Sequence, residues 1–170
     1  MGAPAVEPGS RSFRSSNQTT KALLHMTSND PSRIDSGTAP EPVGAYPHAR
    51  RAGNLLFLSG VGPRKRGSKE IPGVVLGPDG TVVEKDIEAQ CRSCFDNVRA
   101  VMADAGVPWE NVVDVLVFLT DMKNDFKTYN RVYAEYFAGD GNPNPARTTI
   151  EINALPTPIA VEVKVVATID

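Results

Sequence analysis

The most constraining stretch is the last one. Residues 159–169 read Ile-Ala-Val-Glu-Val-Lys-Val-Val-Ala-Thr-Ile. A period of two puts Ile159, Val161, Val163, Val165 and Ala167 on one face. Ala160, Glu162, Lys164, Val166 and Thr168 share the other. A strand this long with one fully apolar face needs a sheet around it and a second layer over it. The covering layer is legible upstream. From Asp86 the apolar period changes, and Ile87, Cys91, Cys94, Phe95, Val98, Met102 and Ala105 fall at steps of three and four. That is one face of a helix, capped by Asp86 and stopped by Gly106 and Pro108. A second helix is expected from Asp125, with Phe126, Tyr129, Tyr133, Tyr136 and Phe137 on one side, to near Gly139.

The remaining apolar runs read as strands. They are 55–58, 112–119 and 148–152, together with a hairpin in which Gly77-Pro78-Asp79-Gly80 joins Val74-Val75-Leu76 to Thr81-Val82-Val83. The order strand, hairpin, helix, strand, helix, strand, strand predicts an α+β two-layer sandwich, one sheet with two helices on one face. The uncovered face of such a sheet is expected to be closed by another copy of the chain.

Residues 1–42 differ from the rest. They are serine-rich, poor in apolar side chains and without sustained periodicity. They are expected to be disordered to roughly Thr38, leaving a working domain of 43–170. Met26 is the expected natural start. Ser, Arg and scarce acids before it suggest a transit peptide as the alternative. No apolar run reaches the length of a membrane span, and the net charge of −2 argues against a dedicated nucleic-acid binder. Two cysteines cannot frame a disulfide scaffold, so a cytoplasmic location is expected.

Several residues invite chemistry. Cys91 and Cys94 form a C-x-x-C, but on the apolar stripe of a helix, which marks them as core. With His25 and His48 the only histidines, structural zinc is not expected. Gly60-Val61-Gly62-Pro63-Arg64-Lys65-Arg66-Gly67 lacks the spacing of a phosphate loop. Its Arg64, Lys65 and Arg66, with Lys69, are either a solvated surface or an attractor for an anionic substrate. Asn130 lies on or beside an apolar helix face, where its amide serves packing or a substrate. Arg147 follows the stiff Asn142-Pro143-Asn144-Pro145-Ala146 lead into a strand. It is either a surface arginine or a bidentate carboxylate clamp. Glu162 is solvated beside Lys164 or, if a partner covers its face, a desolvated carboxylate able to deprotonate water. No serine-histidine-acid set or metalloprotease motif is present.

Several segments together resemble one family. They are Pro42-Val43-Gly44-Ala45-Tyr46-Pro47-His48-Ala49, Leu56-Phe57-Leu58-Ser59-Gly60, Val117-Phe118-Leu119-Thr120-Asp121-Met122, Asp125-Phe126, Pro145-Ala146-Arg147-Thr148-Thr149-Ile150-Glu151-Ile152 and Val161-Glu162-Val163. Across 43–170 this is similar to the Rid (reactive intermediate deaminase, YjgF-type) family. The resemblance implies a chorismate-mutase-like fold, a homotrimer that could pair into a hexamer, active sites in clefts between subunits, and no cofactor or metal. It implies hydrolysis of enamines or imines to ketones and ammonia. Arg147 matches the family arginine that grips the substrate carboxylate and Glu162 the glutamate that holds the attacking water. Tyr46, Ser59 and Asn130 match cleft-lining positions. Thr149 stands where some members carry a cysteine, so a thiol is not expected in the chemistry.

The stretch from Val61 to Val74 is longer than in the short general members, and it resembles the 2-aminomuconate deaminase branch. That branch converts 2-aminomuconate and water to 4-oxalocrotonate and ammonia in aromatic-compound degradation. Such a substrate has two carboxylates, and Arg64 in the basic loop is the candidate for the second. The alternatives are a general 2-aminoacrylate-type deaminase and a non-catalytic, stress-protective small-molecule binder.

Overall fold

In the computed structural model, which describes Gly2, 30–68 and 70–169, the chain builds a mixed six-stranded sheet. The strands are β1 (Arg33–Ile34), β2 (Ala49–Ala52), β3 (Leu55–Leu58), β6 (Val112–Leu119), β7 (Ala146–Glu151) and β8 (Val161–Thr168), in the order β1-β2-β3-β8-β6-β7. All neighbours are antiparallel except β6 and β7. That parallel pair requires a crossover, and the helix between them supplies it. The predicted hairpin forms as β4 (Val74–Leu76) and β5 (Val82–Lys85), but as a separate two-stranded sheet.

Two helices, α1 (Ile87–Asp104) and α2 (Met122–Phe137), cover one face of the sheet. Asp86 caps α1, its carboxylate accepting from the Ala89 amide at 3.1 Å, and Gly106 follows the helix end with φ +68°. The second helix starts three residues earlier than expected. Asp121 accepts from the Asn124 amide and is the true cap, while Asp125 turns inward to Lys85 at 2.7 Å. Both acids suit an N-terminus by type and both pair with Lys85, but only Asp121 precedes the first turn and accepts its free amide, while Asp125 is buried.

Between the layers, the alternation of β8 holds throughout. Val161, Val163, Val165 and Ala167 are fully buried against the helices, with Glu162, Lys164, Val166 and Thr168 on the other side. Cys91 and Cys94 are buried and free, as their place on the stripe predicted. Phe95 meets the rings of Tyr133, Tyr136 and Phe137 at steep angles, the arrangement aromatic quadrupoles favour. The opposite face is less covered: Phe57 and Ile150 are 37% and 38% exposed.

The domain boundary needs correction. The compact unit runs from Pro31 to Asp170 and so includes the twelve residues before position 43. A strap of chain from 36 to 42 is tied down by polar bonds instead of apolar periodicity. Ser36 Oγ and Thr38 Oγ1 donate to Asp104 at 2.5 and 2.8 Å, and the Ser36 amide donates to His48 Nδ1 at 2.9 Å. Within it, Ala39 is buried. The expectations for 3–29, Met26 included, lie outside the described residues. Among the described residues, no helix is long and apolar enough to cross a membrane.

Candidate active site

The six candidate residues form two groups, and Arg147 and Glu162, one in each, lie on opposite faces of the sheet. Pairing registers make this explicit. Arg147 lies opposite Val115, which lies opposite Val165, and both valines face the helices. Glu162 lies opposite Phe118, which lies opposite Ile150, on the open face. Residues opposite one another across strands share a face, and Val115 and Phe118, three positions apart, point to opposite ones. Within one chain, Arg147 and Glu162 therefore do not meet.

The first group is built where edge strand β7 passes α2. The guanidinium of Arg147 lies 4.6 Å from the ring centroid of Tyr133 and 5.7 Å from that of Tyr129. Its Nη1 donates to Asn130 Oδ1 at 2.8 Å. Tyr129, Asn130 and Tyr133 lie within one helical turn, so a single stretch of α2 supplies both the aromatic seat and the polar stop. Arginine stacked on aromatic faces keeps its in-plane donors available for a carboxylate. Asn130 is thus an exposed orienting group. Thr149 joins the same cluster, its hydroxyl 3.0 Å from that of Tyr129.

In the second group, Tyr46, Ser59 and Arg64 line a cavity together with Ala39, Pro40, Pro42 and Gly60, among others. Ser59 Oγ donates to the Pro47 carbonyl at 2.7 Å, which fixes the turn carrying Tyr46. The loop after β3 is stapled to α1. Cys94 Sγ donates to the Val61 carbonyl, Ser93 Oγ to that of Pro63, and Asn97 Nδ2 to those of Gly62 and Arg64 at 2.8 Å each. Arg64 Nη2 donates to the Glu41 carbonyl at 2.6 Å. Glu162 stands against Gly60, where any side chain would run into its carboxylate. Burial raises the Glu162 carboxyl above the ordinary carboxylate range, and the charge of Arg64 pulls the other way. A half-buried carboxylate of raised basicity beside a cation is suited to taking a proton from water.

The basic loop divides in function. Among its described cations, Arg64 alone lines the cavity. Arg66 instead donates to the Ala39 carbonyl at 2.7 Å and to that of Ser36 at 3.4 Å, and pairs with the Glu41 carboxylate. Lys69 lies outside the described residues. Sequence reasoning missed Gly60, the Tyr129–Tyr133 seat and the strap. Their period places the tyrosines in the core, which is correct, but their ring faces also seat the arginine. Among the described residues, no three His, Cys, Asp or Glu side chains gather as metal ligands.

Comparison with known proteins agrees with this architecture. The family model described as endoribonuclease L-PSP matches residues 36–169. A RutC family protein of Pyrococcus horikoshii is 38% identical over 134 residues, 79% of this chain and 94% of its own. Reactive Intermediate Deaminase A, chloroplastic, of Arabidopsis thaliana is 33% identical over 137 residues, 80% of this chain and 65% of its own. The YjgF gene product of E. coli has a solved structure that superposes with a TM-score of 0.68 at 30% identity, covering 80% of this chain and 97% of that one. Matched from the strap to the end of the closing strand, the chain belongs to the Rid/YjgF family that the endoribonuclease L-PSP model describes.

Proposed function

We propose that this chain is a Rid-type deaminase that hydrolyses an enamine, through its imine tautomer, to a ketone and ammonia, with 2-aminomuconate as substrate. The observation that carries the reading is the split of one plausible site into two halves. One half holds a seated carboxylate clamp, Arg147 with Asn130. The other holds a desolvated base, Glu162, with a second cation, Arg64. A second copy of the chain completes each site when its open sheet face, carrying Glu162, meets the first copy's β7 edge. Covering Phe57 and Ile150 at the same contact contributes roughly 1 kcal/mol per side chain, since each is only partly exposed. A cyclic trimer, which can pair into a hexamer, satisfies such a heterologous contact by closure.

The chemistry follows from the geometry. Arg147 binds the carboxylate next to the C=N carbon and sets the direction of attack. Water adds to that carbon as its proton passes to the Glu162 carboxylate. Glu162 passes that proton to the nitrogen, giving the carbinolamine; the nitrogen then takes the hydroxyl proton through the same carboxylate and leaves as ammonia as the C=O bond forms. The second carboxylate of 2-aminomuconate sits with Arg64, one cation for each anion. A monocarboxylate such as 2-aminoacrylate would use Arg147 alone. Similarity to Reactive Intermediate Deaminase A supports the deaminase class. RNA cleavage has less support, because both nitrogens of His48 are engaged by the strap, with Ser36 and with the Pro40 carbonyl.

The test is ammonia release from freshly generated 2-aminomuconate and 2-aminoacrylate, followed by decay of the substrate's ultraviolet absorbance. The reading expects a higher kcat/KM for the dicarboxylate and loss of most turnover in Arg147→Ala. Equal kcat/KM for both substrates would remove 2-aminomuconate, and normal turnover in Arg147→Ala would remove the deaminase site itself.

A further inference from the structure

We infer that Arg66 is a positioning residue that sets the preference for a second substrate carboxylate, by clamping the 36–42 strap whose Glu41 carbonyl aims Arg64. The inference rests on the dicarboxylate reading above and assigns a part to a residue that touches no substrate.

Two anchors hold the loop that carries both arginines. Helix α1 fixes its backbone, through Asn97 to the Gly62 and Arg64 carbonyls and Ser93 to that of Pro63. That leaves the Arg64 side chain, whose several rotatable bonds would scatter the guanidinium over the cavity mouth. The Glu41 carbonyl collects it, at 2.6 Å from Nη2. Glu41 itself lies on chain without regular structure, so its own placement needs a cause.

Arg66 supplies that cause. Its Nη1 binds the Ala39 carbonyl at 2.7 Å, and its Nη2 reaches the Glu41 carboxylate at 3.4 Å, with the Gly67 amide assisting at 3.5 Å. The earlier half of the strap has separate ties, with Ser36 and Thr38 on Asp104 and the Pro40 carbonyl on His48. Removing Arg66 therefore loosens the strap around Glu41 while leaving the 36–38 stretch attached. Arg64 then has to be ordered by the ligand at the moment of binding, which weakens affinity without touching the reacting atoms. A monocarboxylate held by Arg147 would not register the change.

The experiment compares Arg66→Met and Arg66→Lys with Arg64→Ala in the full chain. It measures kcat and KM for 2-aminomuconate and 2-aminoacrylate, and amide hydrogen exchange across 36–46. Arg66→Met is expected to raise KM for the dicarboxylate about tenfold with little change in kcat. The monocarboxylate kinetics should stay unchanged, and exchange should quicken around Glu41. Arg66→Lys, which can still reach a strap carbonyl, should recover most of the loss. Equal losses on both substrates, or no loss at all, would overturn the inference. If Arg64→Ala is costly for the dicarboxylate and Arg66→Met is silent, only the inference fails. If Arg64→Ala is itself silent, the dicarboxylate reading fails and takes the inference with it.

Discussion

Gly60→Ala is a one-atom perturbation with a calculable consequence. A Cβ at position 60 would lie 2.8 Å from Glu162 Cδ, with Oε1 closer still and Cγ at 3.5 Å. Nonbonded carbons settle at about 3.5–4.0 Å, so the carboxylate must retreat by roughly 1 Å. Gly60 is not in the left-handed region, so alanine is acceptable to the backbone itself. The displaced group is also the end of a side chain, and the stability cost should be about 1 kcal/mol, at the low end for overpacking. Catalysis should suffer far more, because a misplacement near 1 Å of a reacting group costs on the order of 100-fold. The assay is kcat for ammonia release alongside a thermal melt. A kcat within twofold of the parent, with an unchanged melt, would refute the placement of Glu162 at the attacking water.

Other consequences follow from the same geometry. Phe95→Ala deletes a fully buried ring in contact with three other aromatics and should cost about 3–5 kcal/mol in unfolding free energy, read by urea titration. Glu162 must be ionised to accept a proton, and its pKa is raised by burial. The acid limb of kcat/KM should therefore lie above the ordinary glutamate value of about 4.3, with activity falling as pH drops through the raised value. Arg64→Ala should push that limb higher still, since the charge of Arg64 opposes the rise. The Cys91 thiol is pushed up to about 12 by burial, and Cys94 is fully buried, so neither should react with iodoacetamide until the protein unfolds.

Legibility in the sequence depended on what held each element. Where apolar period sets the structure, in α1, β6 and β8, the boundaries fall within a residue or two of expectation. Strand β2 was missed because Ala-Arg-Arg-Ala has no apolar alternation. Its signal was the two-residue Gly53-Asn54 turn into β3, with Gly53 at φ +59°. The strap escaped because its attachments are long-range polar bonds to Asp104, His48 and Arg66, none visible as a local pattern. The site residues were named through family resemblance, and composition alone left Arg147 and Glu162 undecided. Their separation onto two faces follows from strand pairing, which no single segment encodes. The basic loop carried the opposite lesson. Four neighbouring cations looked equivalent in sequence, yet Arg64 faces the cavity and Arg66 faces the strap.

The central claim is that each site takes Arg147 from one copy and Glu162 from another. Two inactive variants, Arg147→Ala and Glu162→Ala, test it directly when unfolded together in equal amounts and refolded. Random assembly gives an intact arginine beside an intact glutamate at about one interface in four, so the mixture should regain about a quarter of parental turnover. Recovery near that level is the predicted result. A mixture as inactive as its two components would contradict the account.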